Sequence, residues 1–121
     1  MNQEYYLEFE NVFRGKREEI ISRQKNYDGV IRYLLKNHEN PNVLDIGCGR
    51  GEWLQNCQEK GLIAKGIELN SKMISLCREY NLDVLEGDAL AVLKQIESQS
   101  FSLITSFHLI EHLEHKLIGN I

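Results

Sequence analysis

Asp45, Gly47, Gly49, Gly51 and Glu68 come first among the residues whose types and spacing can do chemistry. The run Val43-Leu44-Asp45-Ile46-Gly47-Cys48-Gly49-Arg50-Gly51-Glu52-Trp53-Leu54 reads as a short buried strand, a glycine-rich turn and the opening of a helix. That arrangement leaves backbone N–H groups and a helix N-terminus facing a ligand, which is expected to be nucleotide-like. The glycines fall as G-x-G-x-G, whereas the dinucleotide fingerprint G-x-G-x-x-G needs its third glycine at Glu52. The spacing therefore favours a nucleoside without a pyrophosphate over a nicotinamide dinucleotide. Asp45 points the same way, because a carboxylate at a strand's carboxyl end repels phosphate but can hold an ammonium group or order the turn. An adenosyl cofactor with a charged amino-acid tail suits that pairing. The plain alternative is a tight strand-to-helix turn that binds nothing.

Glu68 ends the next apolar run, 23 positions after Asp45. In nucleotide-binding sheets an acid at an offset of ~20 residues accepts hydrogen bonds from a ribose. The competing reading is an exposed carboxylate at a strand end. Asp88, in Glu86-Gly87-Asp88-Ala89, stands before Ala-Leu-Ala-Val-Leu and reads as an ordinary helix cap. A carboxylate has enough lone pairs to cap and to bind a ligand at once. Phe107-His108-Leu109-Ile110-Glu111-His112-Leu113 is the other informative cluster. His-x-x-Glu-His is the inverted zinc-protease arrangement, but no third ligand can be pointed to on a downstream helix, so zinc hydrolysis is disfavoured and no metal is expected. His108 or His112, helped by Glu111, could act as a base near neutral pH. Against this, Leu109, Ile110 and Leu113 would form a core face with the polar residues in solvent.

The elements that must position these groups follow from periodicity and punctuation. Tyr5, Tyr6, Phe9, Val12 and Phe13 suit one face of a short helix, and Gly15 interrupts it. A longer helical rhythm from Glu18 to Lys36 uses Ile20, Ile21, Tyr27, Val30, Ile31, Leu34 and Leu35. Asn40-Pro41-Asn42 stops it and launches the first strand. After the glycine turn, a helix over 52–60 is closed by Gly61 as a C-terminal cap. Strands are expected at 62–69, 83–85 and 101–106. Helices are expected at 71–80, introduced by Asn70 or Ser71 and ended near Asn81, and at 89–96, with another beginning at His108. Strand and helix alternate, so the sheet should be parallel, with helices on both faces and ligands at the carboxyl ends of the strands.

Composition bounds the rest. A chain of 121 residues with 42% hydrophobic content forms one domain with a modest core. A net charge of −4 with no long run of like charge gives no basic footprint, so nucleic acid is not an expected partner. There is no apolar stretch of ~20 residues and no signal-peptide core behind the first residues, so a soluble, cytoplasmic protein is expected. Cys48, Cys57 and Cys77 form no Cys-x-x-Cys pair and read as small buried residues in a reducing compartment.

The glycine turn resembles motif I of class I S-adenosylmethionine (SAM)-dependent methyltransferases, and the later segments fall in the order that this family requires. Phe13-Arg14-Gly15-Lys16-Arg17-Glu18-Glu19-Ile20, with Arg50-Gly51-Glu52-Trp53-Leu54 and the segment from Phe107 to Leu113, narrows the resemblance. Together they are similar to the methyltransferase domain of bacterial O-antigen chain-terminating enzymes and related proteins of surface-polysaccharide synthesis. The resemblance implies SAM as cofactor, held by Arg17, Asp45, Gly47, Cys48, Gly49, Glu68, Leu69, Asp88, Ala89 and Phe107. It implies Glu68 on both ribose hydroxyls, and Asp88 with the Ala89 N–H on the adenine. It sets His108, Glu111 and His112 beside the methyl group and a sugar hydroxyl, sugar phosphate or other small-molecule acceptor. A phosphate acceptor needs cations rather than a base, and Arg14, Lys16, Arg17 and Arg23 are the candidates. Arg14 or Arg17 could reach the cofactor carboxylate or an acceptor phosphate, or simply form a solvated charged face.

The expected architecture is α/β: the amino-terminal part of a Rossmann-like, doubly wound parallel sheet preceded by two helices. It forms one incomplete domain over 1–121, with leading helices in 1–38 and a cofactor-binding half in 43–121. The family's strand order 3-2-1-4-5-7-6 would leave the fourth strand as an open edge, inviting a homodimer. A catalytically silent SAM-binding or assembly remnant is the second expectation. Ser102 stands where many relatives begin this strand with Asp.

Overall fold

The computed structural model describes residues 16–94 and 101–106. The expected helices at 3–13 and from His108, and the end of the helix expected at 89–96, lie outside those residues. Helix α1 (Arg17–Arg23) passes through a 3₁₀ turn (Gln24–Tyr27) into α2 (Asp28–Asn37). The single helix expected over 18–36 is thus two helices. Asn26, Asp28 and Gly29 cluster at the junction, and their low helix propensity lets the chain tighten there to three residues per turn. Ile20 of α1 and Ile31 and Leu34 of α2 face inward.

Strand β1 (Asn42–Ile46) is followed by α3 (Glu52–Glu59), β2 (Ile63–Glu68), α4 (Ser71–Glu79), β3 (Asp83–Glu86), α5 (Ala89–Leu93) and β4 (Leu103–Thr105). The four strands are parallel in the order β3-β2-β1-β4. This is the doubly wound arrangement expected from the alternation of elements, preceded by helices, and β1 lies inside it. Val43 and Leu44 are wholly buried because both faces of β1 are covered. On one face Val43 packs with Ile31, Leu34, Trp53, Cys57 and Leu62. On the other, Leu44, Ile46 and Ile67 gather Ala89 and Phe101.

Helices α3 and α4 end in the same way. Gly61 (φ 96°) follows α3, where the Leu62 N–H donates to Cys57 O at 3.0 Å and the Gly61 N–H to Gln58 O at 3.1 Å. Asn81 (φ 58°) follows α4, with Leu82 N–H on Cys77 O at 3.1 Å and Asn81 N–H on Arg78 O at 3.0 Å. Both are Schellman caps, the role expected of Gly61. Leu62 and Leu82 are buried just beyond them. At its other end α4 is capped by Asn70, whose Oδ1 accepts from Lys72 N at 2.9 Å and Met73 N at 3.2 Å.

Candidate functional site

The carboxyl ends of β1, β2 and β3 lie side by side and carry the glycine turn, Glu68 and Asp88. Gly47, Gly49 and Gly51 all take positive φ (66°, 58° and 83°), conformations that side-chain-bearing residues rarely adopt, so the turn curls back over the sheet. The N–H groups of Gly47 and Cys48 both donate to Ile67 O, at 2.8 and 3.1 Å. The turn is thereby tied to the end of the neighbouring strand.

Glu68, 8% exposed, holds that junction. Its Oε1 accepts the Gly49 N–H at 2.8 Å, and its Oε2 accepts the Leu69 and Asn70 N–H groups, each at 2.9 Å. A carboxylate has about four acceptor positions, so these three bonds leave one for a ligand. On the next strand the Gly87 N–H donates to Glu68 O at 3.0 Å. Asp88 caps α5 through Oδ1, which accepts from Leu90 N at 2.8 Å and Ala91 N at 3.3 Å. Capping involves one oxygen only. Leu69 and Leu90 project from this edge, 63% and 72% exposed. Exposed apolar side chains beside acceptor carboxylates fit a ligand with an apolar ring and a polyhydroxylated sugar.

Asp45 sits beneath the turn, 2% exposed, and its Oδ1 accepts from Thr105 Oγ1 of β4 at 2.8 Å. Periodicity gave no sign of Thr105 in this role; the register that sets Asp45 against Thr105 supplies it. Cys48 is buried, and the Cys77 thiol donates to Gly49 O at 3.3 Å. The hydrogen bond with Cys77, followed by burial, pushes the Cys48 thiol far above its ordinary range. Burial pushes Cys57 up to about 12. All three cysteines are free, and the Cys48 and Cys57 thiols are poor nucleophiles.

A network of charged side chains on the helical side of the turn was not foreseen from the sequence. Arg50 and Glu52 form a buried ion pair, with Nε–Oε2 at 2.9 Å, Nη2–Oε2 at 2.8 Å and both side chains at most 5% exposed. Arg17 reaches across from α1. Its Nε donates to Gln55 Oε1 and its Nη1 to Arg50 O, both at 2.6 Å, while its guanidinium carbon lies 3.7 Å from the centre of the Tyr80 ring. Burial lowers the pKa of Arg17, and the field of Glu52 opposes that. Expected at the cofactor, Arg17 therefore donates two of its N–H groups to protein acceptors behind the turn. Ser102, singled out in sequence, exchanges hydrogen bonds with Asn42 where β1 and β4 begin: its N–H reaches Asn42 Oδ1 at 3.0 Å. Phe107, His108, Glu111 and His112, with Arg14, lie outside the described residues. No group of His, Cys, Asp and Glu able to hold a metal ion occurs among the described residues, and no helix among them is long and apolar enough to cross a membrane.

A family model described as a methyltransferase domain matches residues 13–119. A solved SAM-dependent methyltransferase from Archaeoglobus fulgidus is 38% identical, with a TM-score of 0.75 over 89% of this chain and 46% of that one. The O-antigen chain terminator bifunctional methyltransferase/kinase WbdD of Escherichia coli is 26% identical over 84% of this chain and 14% of its own length. A crystal structure of WbdD superposes with a TM-score of 0.60. A tRNA (carboxymethyluridine(34)-5-O)-methyltransferase of Mus musculus is 30% identical over 75% of this chain and 13% of its own. The chain spans less than half the length of each of these relatives. With the parallel sheet, the glycine turn at β1 and the acids at the ends of β2 and β3, these matches lead to one conclusion: the chain belongs to the methyltransferase-domain family and has the Rossmann-like fold of class I SAM-dependent methyltransferases, related to WbdD.

Proposed function

We propose that the chain transfers a methyl group from SAM to a sugar hydroxyl, a sugar phosphate or another small-molecule acceptor, in the cytoplasm and within polysaccharide synthesis. The observation that carries the reading is the row formed by the glycine turn, Glu68 and Asp88 along the carboxyl edge of three adjacent strands. The groups there fit the cofactor. Glu68 retains an acceptor position for the ribose, Asp88 keeps one oxygen outside its cap for the adenine amino group beside Ala89, and Leu69 offers an apolar surface to the ring. Gly47, Cys48 and Gly49 would meet the amino-acid tail, with Asp45 ordering the turn beneath them, and Phe107 is the remaining candidate for cofactor binding.

When bound, SAM supplies a sulfonium methyl, an electrophile that needs alignment with its acceptor more than activation. The chain's own part is then to orient and to exclude water. Where the acceptor is a hydroxyl, His108 or His112, assisted by Glu111, takes its proton. Calorimetric titration with SAM and S-adenosylhomocysteine, repeated with Glu68→Ala, tests the cofactor site. Micromolar binding lost in the variant supports it; a folded chain that binds neither compound refutes it. Free and phosphorylated mannose-type sugars would open the acceptor screen.

One observation favours a second reading, a catalytically silent assembly module. Among the described residues β4 pairs with β1 alone, and Ile104 on it is 53% exposed. This reading predicts a dimer through that edge by light scattering, with no methyl transfer to any acceptor.

A further inference from the structure

Among the described residues of the leading helices, Arg17 reaches three parts of the site's framework. Its own backbone opens α1, its Nη1 holds the carbonyl of Arg50 inside the glycine turn, its Nε holds Gln55 in the first turn of α3, and its planar face covers Tyr80 at the end of α4. The Arg50–Gly51 peptide is fixed from both sides, because the Gly51 N–H donates to Cys48 O at 3.0 Å while its carbonyl accepts from Arg17. The preceding carbonyl, Gly49 O, is held by the Cys77 thiol at 3.3 Å. The peptide is planar, so fixing a carbonyl on the helical side also fixes the direction of its amide N–H. The Gly49 N–H in turn meets Glu68 Oε1 at 2.8 Å. A displacement of the Arg50 carbonyl is thus two residues from the bond that sets the ribose-facing carboxylate.

We propose that Arg17 is a positioning residue of the cofactor site: its guanidinium, forked between the Arg50 carbonyl and Gln55 and stacked on Tyr80, sets the shape of the glycine turn without touching the cofactor. The inference rests on the cofactor reading given above. It accounts for the choice of arginine, since a lysine ammonium carries the same charge but cannot reproduce two donors in a planar fork together with a stacked face. It also makes the leading helix part of the site rather than a cover for the sheet.

Arg17→Lys and Gln55→Leu test it, with S-adenosylhomocysteine and 5′-methylthioadenosine as the two titrants. The second compound keeps the nucleoside and lacks the amino-acid tail. A positioning role predicts that Arg17→Lys weakens both compounds by a similar factor, roughly tenfold, the size of one charge-assisted hydrogen bond. It predicts a smaller, parallel loss in Gln55→Leu, which leaves the charge of Arg17 in place. In the unliganded protein, the amide resonances of Gly49 and Gly51 should shift in both variants. Loss confined to S-adenosylhomocysteine, or wild-type affinity in Arg17→Lys, would overturn the proposal in favour of a charge acting directly on the carboxylate tail. So would an unchanged or stronger affinity in Gln55→Leu. Unmoved glycine resonances would overturn it independently of any ligand. If the wild type binds neither compound while those resonances still move in the variants, the cofactor reading fails and the link from Arg17 to the turn stands.

Discussion

Alanine at Gly51, Gly61 and Gly66 separates two costs that a glycine can avoid. Gly61 has φ 96°, but a Cβ there would meet only Leu35 Cδ2, at 4.0 Å, an ordinary contact. Gly61→Ala therefore carries conformational strain alone, about 1–2 kcal/mol. Gly66, in the middle of β2, is the reverse case. Its backbone is ordinary, while a Cβ would lie 2.6 Å from Cys48 Sγ, 2.7 Å from Leu54 Cδ1 and 2.9 Å from Cys48 Cβ. The thiol and the leucine methyl can turn away, but Cys48 Cβ moves only with the glycine turn, so overpacking of about 1–3 kcal/mol is expected. Gly51 carries both costs, with φ 83° and a Cβ 2.5 Å from Leu82 Cδ1 and 2.9 Å from Cys77 Sγ, and these two cannot turn away freely because Leu82 is buried and the Cys77 thiol is held on Gly49 O. Its alanine variant should lose about 2–5 kcal/mol, the two ranges combined. Urea unfolding of the three variants, with slopes compared to the wild type, measures this directly. A Gly51→Ala loss no larger than that of Gly61→Ala would refute the close packing of the turn on α4, and a neutral Gly66→Ala would refute the seating of Cys48 against β2.

Arg50→Met should destabilise the fold by about 3–5 kcal/mol by taking from the buried Glu52 the guanidinium that lies 2.8 Å from its Oε2, whereas Arg50→Met combined with Glu52→Leu should recover much of that loss; urea midpoints for the single and double variants decide. Thr105→Val preserves shape but takes a donor from the buried Asp45, so a loss of about 1–3 kcal/mol is expected by thermal melting, and no loss would refute the Thr105 bond as a support of the carboxylate. Cys57 is held neutral up to about 12 in the folded chain against an ordinary 9.0. Its contribution is present in full below pH 9 and falls as the pH rises from 9 towards 12, because only the unfolded thiol ionises in that window. The slope is about 1.4 kcal/mol per pH unit for this one group. Unfolding between pH 8 and 11, compared with Cys57→Ala, should show that part of the slope disappear in the variant.

The legible parts of the fold were those fixed by local chemistry. The glycine turn, the Gly61 cap, the Asn70 cap and the alternation of strands with helices depend on residues a few positions apart, and they were read to within a residue or two. The break between α1 and α2 was not, because apolar residues continue through it in helical phase and only the weak propensities of Asn26, Asp28 and Gly29 mark it. The site divides in the same way. Glu68 and Asp88 could be singled out because strand ends and caps are local signals. Thr105 beneath Asp45, Cys77 on Gly49 O and the Arg17 fork join residues 60, 28 and 33 positions apart. Their meeting depends on the strand order and on which face each helix covers, neither of which leaves a trace in spacing.

The carboxylates at the site are bound to the protein before any ligand arrives, and this changes how their loss is to be read. Glu68 accepts from Gly49, Leu69 and Asn70, so removing it leaves three backbone donors short of a partner as well as withdrawing the acceptor proposed for the ribose. Glu68→Gln keeps the shape, but its amide nitrogen cannot accept, so at least one of those N–H groups faces a donor. A structural role and a ligand role therefore both predict weaker binding in Glu68→Ala and in Glu68→Gln. They differ in stability without ligand: the structural role alone costs about 1–3 kcal/mol for each unsatisfied group. If Glu68→Gln retains wild-type stability and still loses the cofactor, the carboxylate acts on the ligand itself. If affinity falls only in proportion to stability, Glu68 serves the turn, and the turn serves the ligand.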